Sequence, residues 1–507
     1  MSGGSGGSFG CPLVLGADIG THGVRTFLFD GRGRYIASAR SNYERDTKPD
    51  GTAEQDPEQW WEGFCRCLQS LKNDAGSRGG LSAVAAIGIT HQRGTVVPVN
   101  KDGRALAPAV CDSDTRCRPQ TEEARRDSAA QTLYHSTGMP PFPFVGFYKI
   151  DWFKKERRKV FSEAASWYSP QDFIVRRLVG EERVSAGSLS RLGLLDIQRS
   201  DRPSAFAKER LEIEYPSAER IVKIGGVLGE ITTAAAKRCG LAAGAKVVAC
   251  AGDQSSALAA VSARENGDLA TNLGTSFVSS MVVDRPVFDT KMNWTVELSA
   301  NGKWALDIGS GCGTNVLDWF ARTMRKTVGD GGEDWDRLSK AAARHYGITE
   351  GLFVVPLWWK ATGKSPYGAI LGLETETGEE LLFLSILEGL AFEVKKALED
   401  LTAGTGQEIR RQFLFGGASA NTLFIRLLSD LLERELSIPA FSDASAVGAA
   451  ASAAAGAGIV AHQAELVKSF SSKAAQRPVK GLGDYWKKKY RAYLKLREAL
   501  PVIDFSL

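Results

Sequence analysis

The sequence predicts an α/β protein of two domains built on one plan, and three observations carry that prediction. Short apolar runs end repeatedly in glycine and alternate with longer helical stretches, so much of the glycine, 54 residues, falls at turns. The length, 507 residues, is more than one hydrophobic core usually serves. An internal echo relates the halves. GADIGTHGVRTFLFD at 16–30 and ATNLGTSFVSSMVVD at 270–284 align without a gap, each a strand, a Gly-Thr turn, a second strand and a terminal aspartate.

The elements follow in order. A strand at Pro12–Gly16 runs into the turn Asp18–Gly23, and Val24–Phe29 returns beside it. Asp30-Gly31-Arg32-Gly33 then turns the chain into a third strand at Tyr35–Ala39. A helix is expected from Pro57 to about Leu71, with Asp56 as its N-cap and proline at its first position. Ala83–Ile89 is the next strand and delivers Thr90-His91-Gln92-Arg93-Gly94; Val96–Val99 is another. Residues 124–240 read mostly as helices, among them Tyr148–Lys159 and Pro170–Leu178, the latter ending at Gly180. Val247–Cys250 is a short buried strand that presents Gly252-Asp253-Gln254 ahead of a helix at Ser256–Val261.

In the second half a helix is expected around Leu381–Leu401, and a strand at Arg411–Phe415 breaks at Gly416-Gly417. Leu423–Glu435 is helical, and so is the small-residue segment Ala446–Gly458, which can approach a neighbour closely. The linear division is a flexible Gly/Ser leader at 1–10, domains at 11–263 and 264–478, and a helical tail at 479–507.

Composition narrows the function. Hydrophobic residues at 43% and charged residues at 24% fit a soluble globular protein. A net charge of +4, from 63 basic and 59 acidic residues, is nearly balanced and gives no argument for a nucleic-acid partner; none is expected. Lys487-Lys488-Lys489 with Arg491 reads as the solvated face of the C-terminal helix. The eight cysteines form neither a disulfide framework nor a zinc pattern, which points to a reducing, cytoplasmic setting. No secretory signal and no membrane span are expected.

Four loops carry chemistry. Asp18-Ile19-Gly20-Thr21-His22-Gly23 places a carboxylate after a buried strand and glycines after it. It suits a metal or water beside a phosphate, or is simply a turn. Asn272-Leu273-Gly274-Thr275-Ser276 repeats the geometry without the acid, and the pair reads as a clamp on a nucleotide's phosphates. Gly416-Gly417 allows a flat group such as adenine to approach, or marks a tight turn. Asp253 is either a proton acceptor for an attacking hydroxyl or a helix cap. There is no GxxxxGK[ST] and no protein-kinase signature.

The motifs, taken together, resemble the FGGY carbohydrate kinases of the actin, hexokinase and 70-kDa chaperone superfamily. The resemblance rests on LGADIGTHGVRTFLFD at 15–30, EQDPEQWW at 54–61, GITHQRG at 88–94 and DSDTR at 112–116. It continues with TGMPPFPFVGFYKIDW at 137–152, AGDQSSA at 251–257, NLGTS at 272–276, ILEGLAF at 386–392, GGASAN at 416–421 and AVGAA at 446–450. It implies two ribonuclease H-like domains with the active site in the cleft between them, the first binding sugar and the second nucleotide. It implies ATP and Mg²⁺, and transfer of the γ-phosphate to a small sugar or polyol (EC 2.7.1.-). Self-association as a homodimer is left open.

By the same resemblance Asp253 is the catalytic base and Asp18 organises the metal. The acceptor is held by Gln92, Arg93, Asp112, Phe144, Asp253 and Gln254. The nucleotide is held by Gly20, Thr21, His22, Gly23, Arg25, Gly274, Thr275, Ser276, Gly313, Gly416, Gly417 and Asn421. Three positions depart from the glycerol kinase branch: Gly94 for a glutamate, Asp112 for a tryptophan and Phe144 for a tyrosine. They suggest a roomier pocket and an acceptor of four to six carbons, a pentulose or pentitol, with glycerol as the alternative. A chaperone-like ATPase is disfavoured because no peptide-binding third domain is present. A catalytically dead regulator is disfavoured by the presence of Asp18 and Asp253.

Overall fold

The computed structural model describes residues 11–76, 80–324, 332–349, 351–358, 368–441, 443–468, 474–479 and 481–500. The leader at 1–10 lies outside them. The chain forms two compact units that interleave along the sequence. The first is Met1–Arg264, Val283–Ala305 and Asp443–Ser471; the second is Glu265–Val282, Leu306–Ser442 and Ser472–Leu507.

The first unit is built on a six-stranded sheet. Its order is Val227–Glu230, Lys246–Val248, Val84–His91, Leu13–Ile19, Gly23–Asp30, Tyr35–Asn42. Leu13–Ile19 is buried at every residue and apolar but for Asp18, as expected of a strand covered on both faces. It pairs antiparallel with Gly23–Asp30 and parallel with Val84–His91. The parallel step needs a crossover, supplied by the helix Pro57–Gly76. Asp56 caps that helix as expected, its carboxylate accepting from the Glu58 amide at 2.9 Å. The helix expected at Tyr148–Lys159 is two, Gly146–Glu156 and Arg158–Glu163, broken at Arg157, whose guanidinium folds back over Trp152.

The interleaving has a steric cause that a linear division does not capture. Gly16 and Gly88 lie side by side on adjacent strands. A Cβ on the first would overlap the carbonyl oxygen of Ala446, and a Cβ on the second that of Ala449. The helix Ala444–Gly456 therefore lies with its backbone on the first unit's sheet, closer than any larger side chain would permit.

The second unit repeats the plan. Asp268–Leu273 and Phe277–Val283 pair antiparallel, Arg411–Phe415 lies parallel beside the former, and Leu436–Ile438 is parallel beyond it. In both units the row ends in an antiparallel strand, Val227–Glu230 in one and Ala474–Gln476 in the other. The registers correct the gapless alignment of the echo. Ile19 faces Val24 across the first hairpin, whereas Leu273 faces Phe277 across the second, so the second turn is one residue shorter. Val24 therefore corresponds to Phe277, not to Val278, and a one-residue slip would have exchanged the strand's faces.

The 27-residue helix Glu379–Thr405 packs against the C-terminal helix Gly483–Ala499. The basic run at 487–491 is not wholly solvated, contrary to the sequence expectation. Lys487, Lys488 and Arg491 are exposed, but Lys489 is buried. Its ammonium donates to Thr349 Oγ1 at 2.6 Å and to the Glu388 carboxylate. Helical spacing puts Trp486, Lys489 and Tyr493 on one inward face, and the sequence run cuts across it. All eight cysteines are unpaired. Among the described residues no helix is long and apolar enough to cross a membrane.

Candidate active site

The first unit gathers its site residues beyond the carboxyl ends of three neighbouring strands, where ligands bind in open α/β sheets. Asp18 lies near the end of the first of these strands and is 2% exposed. Its Oδ2 accepts from Arg25 Nη2 at 2.8 Å, and Arg25 is held on its other side by Asp443. Its Oδ1 is buried with no partner among the described residues. Burial pushes this carboxyl up to about 6 against the pull of Arg25, and the charges of Asp253 and Asp443 add to the rise.

The turn that follows directs its carbonyls inward. Gly20 N donates to Gly23 O at 3.0 Å, and Gly20 O accepts from the Tyr43 hydroxyl. Thr21 O accepts from Gln55 Nε2 at 2.7 Å and His22 O from Tyr43 N at 3.3 Å. The amides of Thr21 and His22 have no partner among the described residues, and His22 is exposed. Burial and then Arg45 and Arg40 hold the imidazole below its usual range. A turn with engaged carbonyls and open amides is suited to an anion.

Gln92 and Arg93 stand at the end of Val84–His91. Gln92 Nε2 donates to Gln55 Oε1 at 2.6 Å, which ties this loop to the Thr21 turn through one amide. Gln92 Oε1 is buried and has no partner among the described residues. Arg93 bridges two carboxylates, Asp253 Oδ1 at 3.0 Å from Nε and Glu297 Oε1 at 2.8 Å from Nη1. Its stem lies across Gly252, where a Cβ would overlap it, which accounts for the glycine.

Asp253 opens the helix Asp253–Ala260, but Gly252 is the N-cap, so capping does not account for the aspartate. Its Oδ1 accepts from the Gln254 amide at 2.7 Å as well as from Arg93. Its Oδ2 has no partner among the described residues, and 39% of the side chain is open to solvent. Its depth in the unit raises the carboxyl above the ordinary range, with Arg93 opposing.

Asp112 keeps a buried Oδ1 without a partner among the described residues, and its charge is felt by both Asp253 and His22. Gln254 is 2% exposed. Phe144 lies beneath the guanidinium of Arg191, 4.8 Å from its ring centre.

The structure overturns one sequence inference. Gly94 opens no volume: its φ is +71°, and a Cβ there would overlap Phe144 O. The carbonyl of Gly94 accepts from the buried Lys149 ammonium at 2.6 Å. The glycine answers a left-handed backbone and a close chain approach, not the size of the acceptor.

The second unit brings its own predicted residues together. Gly274 O accepts from Thr314 N at 3.0 Å, and Thr275 O from Asn315 N at 3.3 Å. This seats the Gly274–Ser276 turn on the start of the helix Thr314–Met324. Gly313 lies so near that a Cβ would overlap Thr275 O. Gly416, at φ +93°, is pressed against Leu273 and the Asn272 side chain. Gly417 is exposed, and nothing lies within 4 Å of where its Cβ would be. Asn421 is spent structurally: its carbonyl oxygen caps Thr422–Leu432 at Phe424 N, 3.0 Å, and its amide donates to Ser339 Oγ at 3.0 Å.

Sequence reasoning missed Glu297, Arg191, Asp443 and the linking role of Gln55. Gln55 stood in the EQDPEQWW motif without a role. Glu297, Arg191 and Asp443 had no local signal, since only the fold carries them to Arg93, Arg93's partner and Arg25.

The N-terminal domain of the FGGY family of carbohydrate kinases matches residues 13–260, and its C-terminal domain matches residues 269–457. The chain belongs to the FGGY family of carbohydrate kinases, phosphotransferases with an alcohol group as acceptor (EC 2.7.1.-). Similar sequences include a glycerol kinase of Thermococcus gammatolerans, 26% identical over 86% of this chain and 87% of its own. A gluconokinase of Bacillus subtilis is 22% identical over 86% of each chain. A xylulose kinase of Rhodospirillum rubrum has the same fold, with TM-score 0.87 and 23% identity over 96% of this chain and 99% of its own. A Plasmodium falciparum glycerol kinase with ADP aligns with TM-score 0.81 and 18% identity over 97% and 99%.

Proposed function

We propose that the protein transfers the γ-phosphate of ATP to a hydroxyl of a small polyol or ketose of four to six carbons. Asp253 is the general base, and glycerol is the alternative acceptor. The observation that carries the reading is the state of the Asp253 carboxylate: one oxygen fixed by Arg93 and Gln254 N, the other open. A base must be positioned and still have a free lone pair, and this one has both.

In this reading the acceptor hydroxyl gives its proton to Asp253 Oδ2 as its oxygen bonds to the γ-phosphorus, and the bond to the β-phosphate oxygen breaks, leaving ADP. Arg93 and Gln254 would hold the acceptor, with the unpartnered oxygens of Gln92 and Asp112 accepting from its other hydroxyls. The open amides of Thr21 and His22 would receive phosphate, and the Gly274–Ser276 turn is a further phosphate contact that the family resemblance implies. Gly416-Gly417 would border the adenosine.

Magnesium fits Asp18. Mg²⁺ is usually bound by one or two carboxylates together with the nucleotide's phosphates, and Asp18 offers a buried oxygen with no other partner among the described residues. Bound there, it would neutralise charge on the β- and γ-phosphates. Coupled ADP release across glycerol, erythritol, xylitol, ribulose, xylulose and gluconate tests the proposal. Preference for glycerol by tenfold or more would select the alternative, and no acceptor-dependent release would refute the kinase reading.

A further inference from the structure

The geometry points to Glu297 as a specificity-determining residue that reserves the acceptor site for uncharged polyols and ketoses and turns away sugar acids. The inference rests on the proposed acceptor site and adds to it a residue and a charge rule.

Glu297 is 2% exposed and lies in the strand Thr295–Leu298, in a segment that belongs to the first unit. Two guanidiniums meet on one of its oxygens: Arg93 Nη1 at 2.8 Å and Arg191 Nη1 at 2.5 Å, with Thr295 Oγ1 donating at 3.1 Å. Both arginines border the acceptor residues, Arg93 through Asp253 and Arg191 through its stack on Phe144. Without Glu297 these two cations would form a site for an anionic group, since guanidiniums pair readily with carboxylates.

With Glu297 ionised, the charges on this wall are Arg93 and Arg191 against Glu297, Asp253 and Asp112. Lys149 stands behind the wall, its ammonium turned to Gly94 O. The two arginines drive Glu297 below the usual carboxylate range despite its burial, so the neutralising charge is present throughout the neutral pH range. An added carboxylate then meets a wall whose cations are already matched and whose remaining charges are negative. Like-charge juxtaposition of this kind is a common means of rejecting a wrong partner. A neutral acceptor asks only for hydrogen bonds from Arg93 and from the carboxylates.

The experiment compares kcat/KM for xylitol, ribulose and gluconate in the full-length wild type, in Glu297→Gln and in Arg191→Gln. Wild type is expected to favour a neutral acceptor over gluconate by at least about tenfold. Glu297→Gln, which keeps shape and one acceptor oxygen, should move that ratio toward gluconate by about tenfold or more. Arg191→Gln should move it further from gluconate, and it keeps the test decisive should Glu297→Gln not fold. Gluconate serving wild type as well as the neutral acceptors would overturn the inference while leaving the kinase reading intact. So would a ratio unchanged in both variants. Silence of wild type on every acceptor would overturn the kinase reading and this inference with it.

Discussion

Replacing Asp253 by Asn removes a proton acceptor while leaving its surroundings in place. The Asn carbonyl oxygen can occupy the Oδ1 position, where it still accepts from Gln254 N and from Arg93 Nε, now at 2.7 and 3.0 Å. Arg93 keeps its bond to Glu297 as well, so no buried cation is stranded, a loss that would cost about 3–5 kcal/mol. What changes is the open position, where an amide replaces the Oδ2 lone pairs. The expected loss is therefore in kcat, by roughly 10²–10⁴, or about 3–5.5 kcal/mol of transition-state stabilisation. The acceptor KM and nucleotide affinity should change little. Steady-state ADP release with the preferred acceptor, calorimetric nucleotide binding and a thermal melt together read these quantities. Wild-type kcat/KM should fall as pH falls through the Asp253 pKa, a limb lying above the ordinary carboxylate range because burial raises the group. The variant should lack that limb. A variant with kcat within about threefold of wild type, folded and binding nucleotide, would refute the assignment of Asp253 as base.

Other expectations follow from single residues. Gly417→Val places a branched side chain in open space and should raise the ATP KM about tenfold with little change in melting temperature; a rise confined to the acceptor KM would contradict the nucleotide role. Gly94→Glu, which restores the glutamate of the glycerol kinase branch, should lower the melting temperature by several degrees, from about 1–3 kcal/mol of backbone strain plus the overlap with Phe144 O. It should not improve glycerol turnover, and a gain in glycerol kcat/KM without loss of stability would restore the volume argument. Asp18 binds its proton more tightly folded than unfolded, so its burial costs stability as pH rises from about 4 to about 6, and the cost persists above that window. Asp18→Asn, measured by melting in EDTA, should then be more stable than wild type at pH 7.5, by up to about 3 kcal/mol, with the difference vanishing near pH 3.5. The same variant should lose most of its Mg²⁺-dependent activity.

Much of the fold was legible because it rests on local periodicity. The apolar run ending at Gly16 reads as a strand, although the strand itself continues through Asp18 to Ile19, and the helix after Pro57 announces its own cap. The strand Arg411–Phe415 matched its expected bounds. Less legible were features that depend on a partner far along the chain. The gapless echo was one residue out on its second strand, since turn length leaves little trace when both turns read Gly-Thr. Lys489 looked like its exposed neighbours because a run of like charges does not say which member faces inward.

By itself, the sequence determined the class of fold, its duplication, and the loops that carry Asp18, Gln92, Arg93, Asp253 and the two Gly-Thr turns. Each of these is written in a short stretch, as a strand end followed by small residues. Only the tertiary structure decided what stands around them. It carried Glu297 from a hairpin of no apparent consequence to Arg93 and Arg191, and Asp443 from the far end of the chain to Arg25. It also showed that Gly94 yields to the backbone of Phe144 and not to a ligand. Burial, charge pairing and close approach depend on which segments share a region of space, and that is set by packing over the whole unit and not by neighbours in sequence.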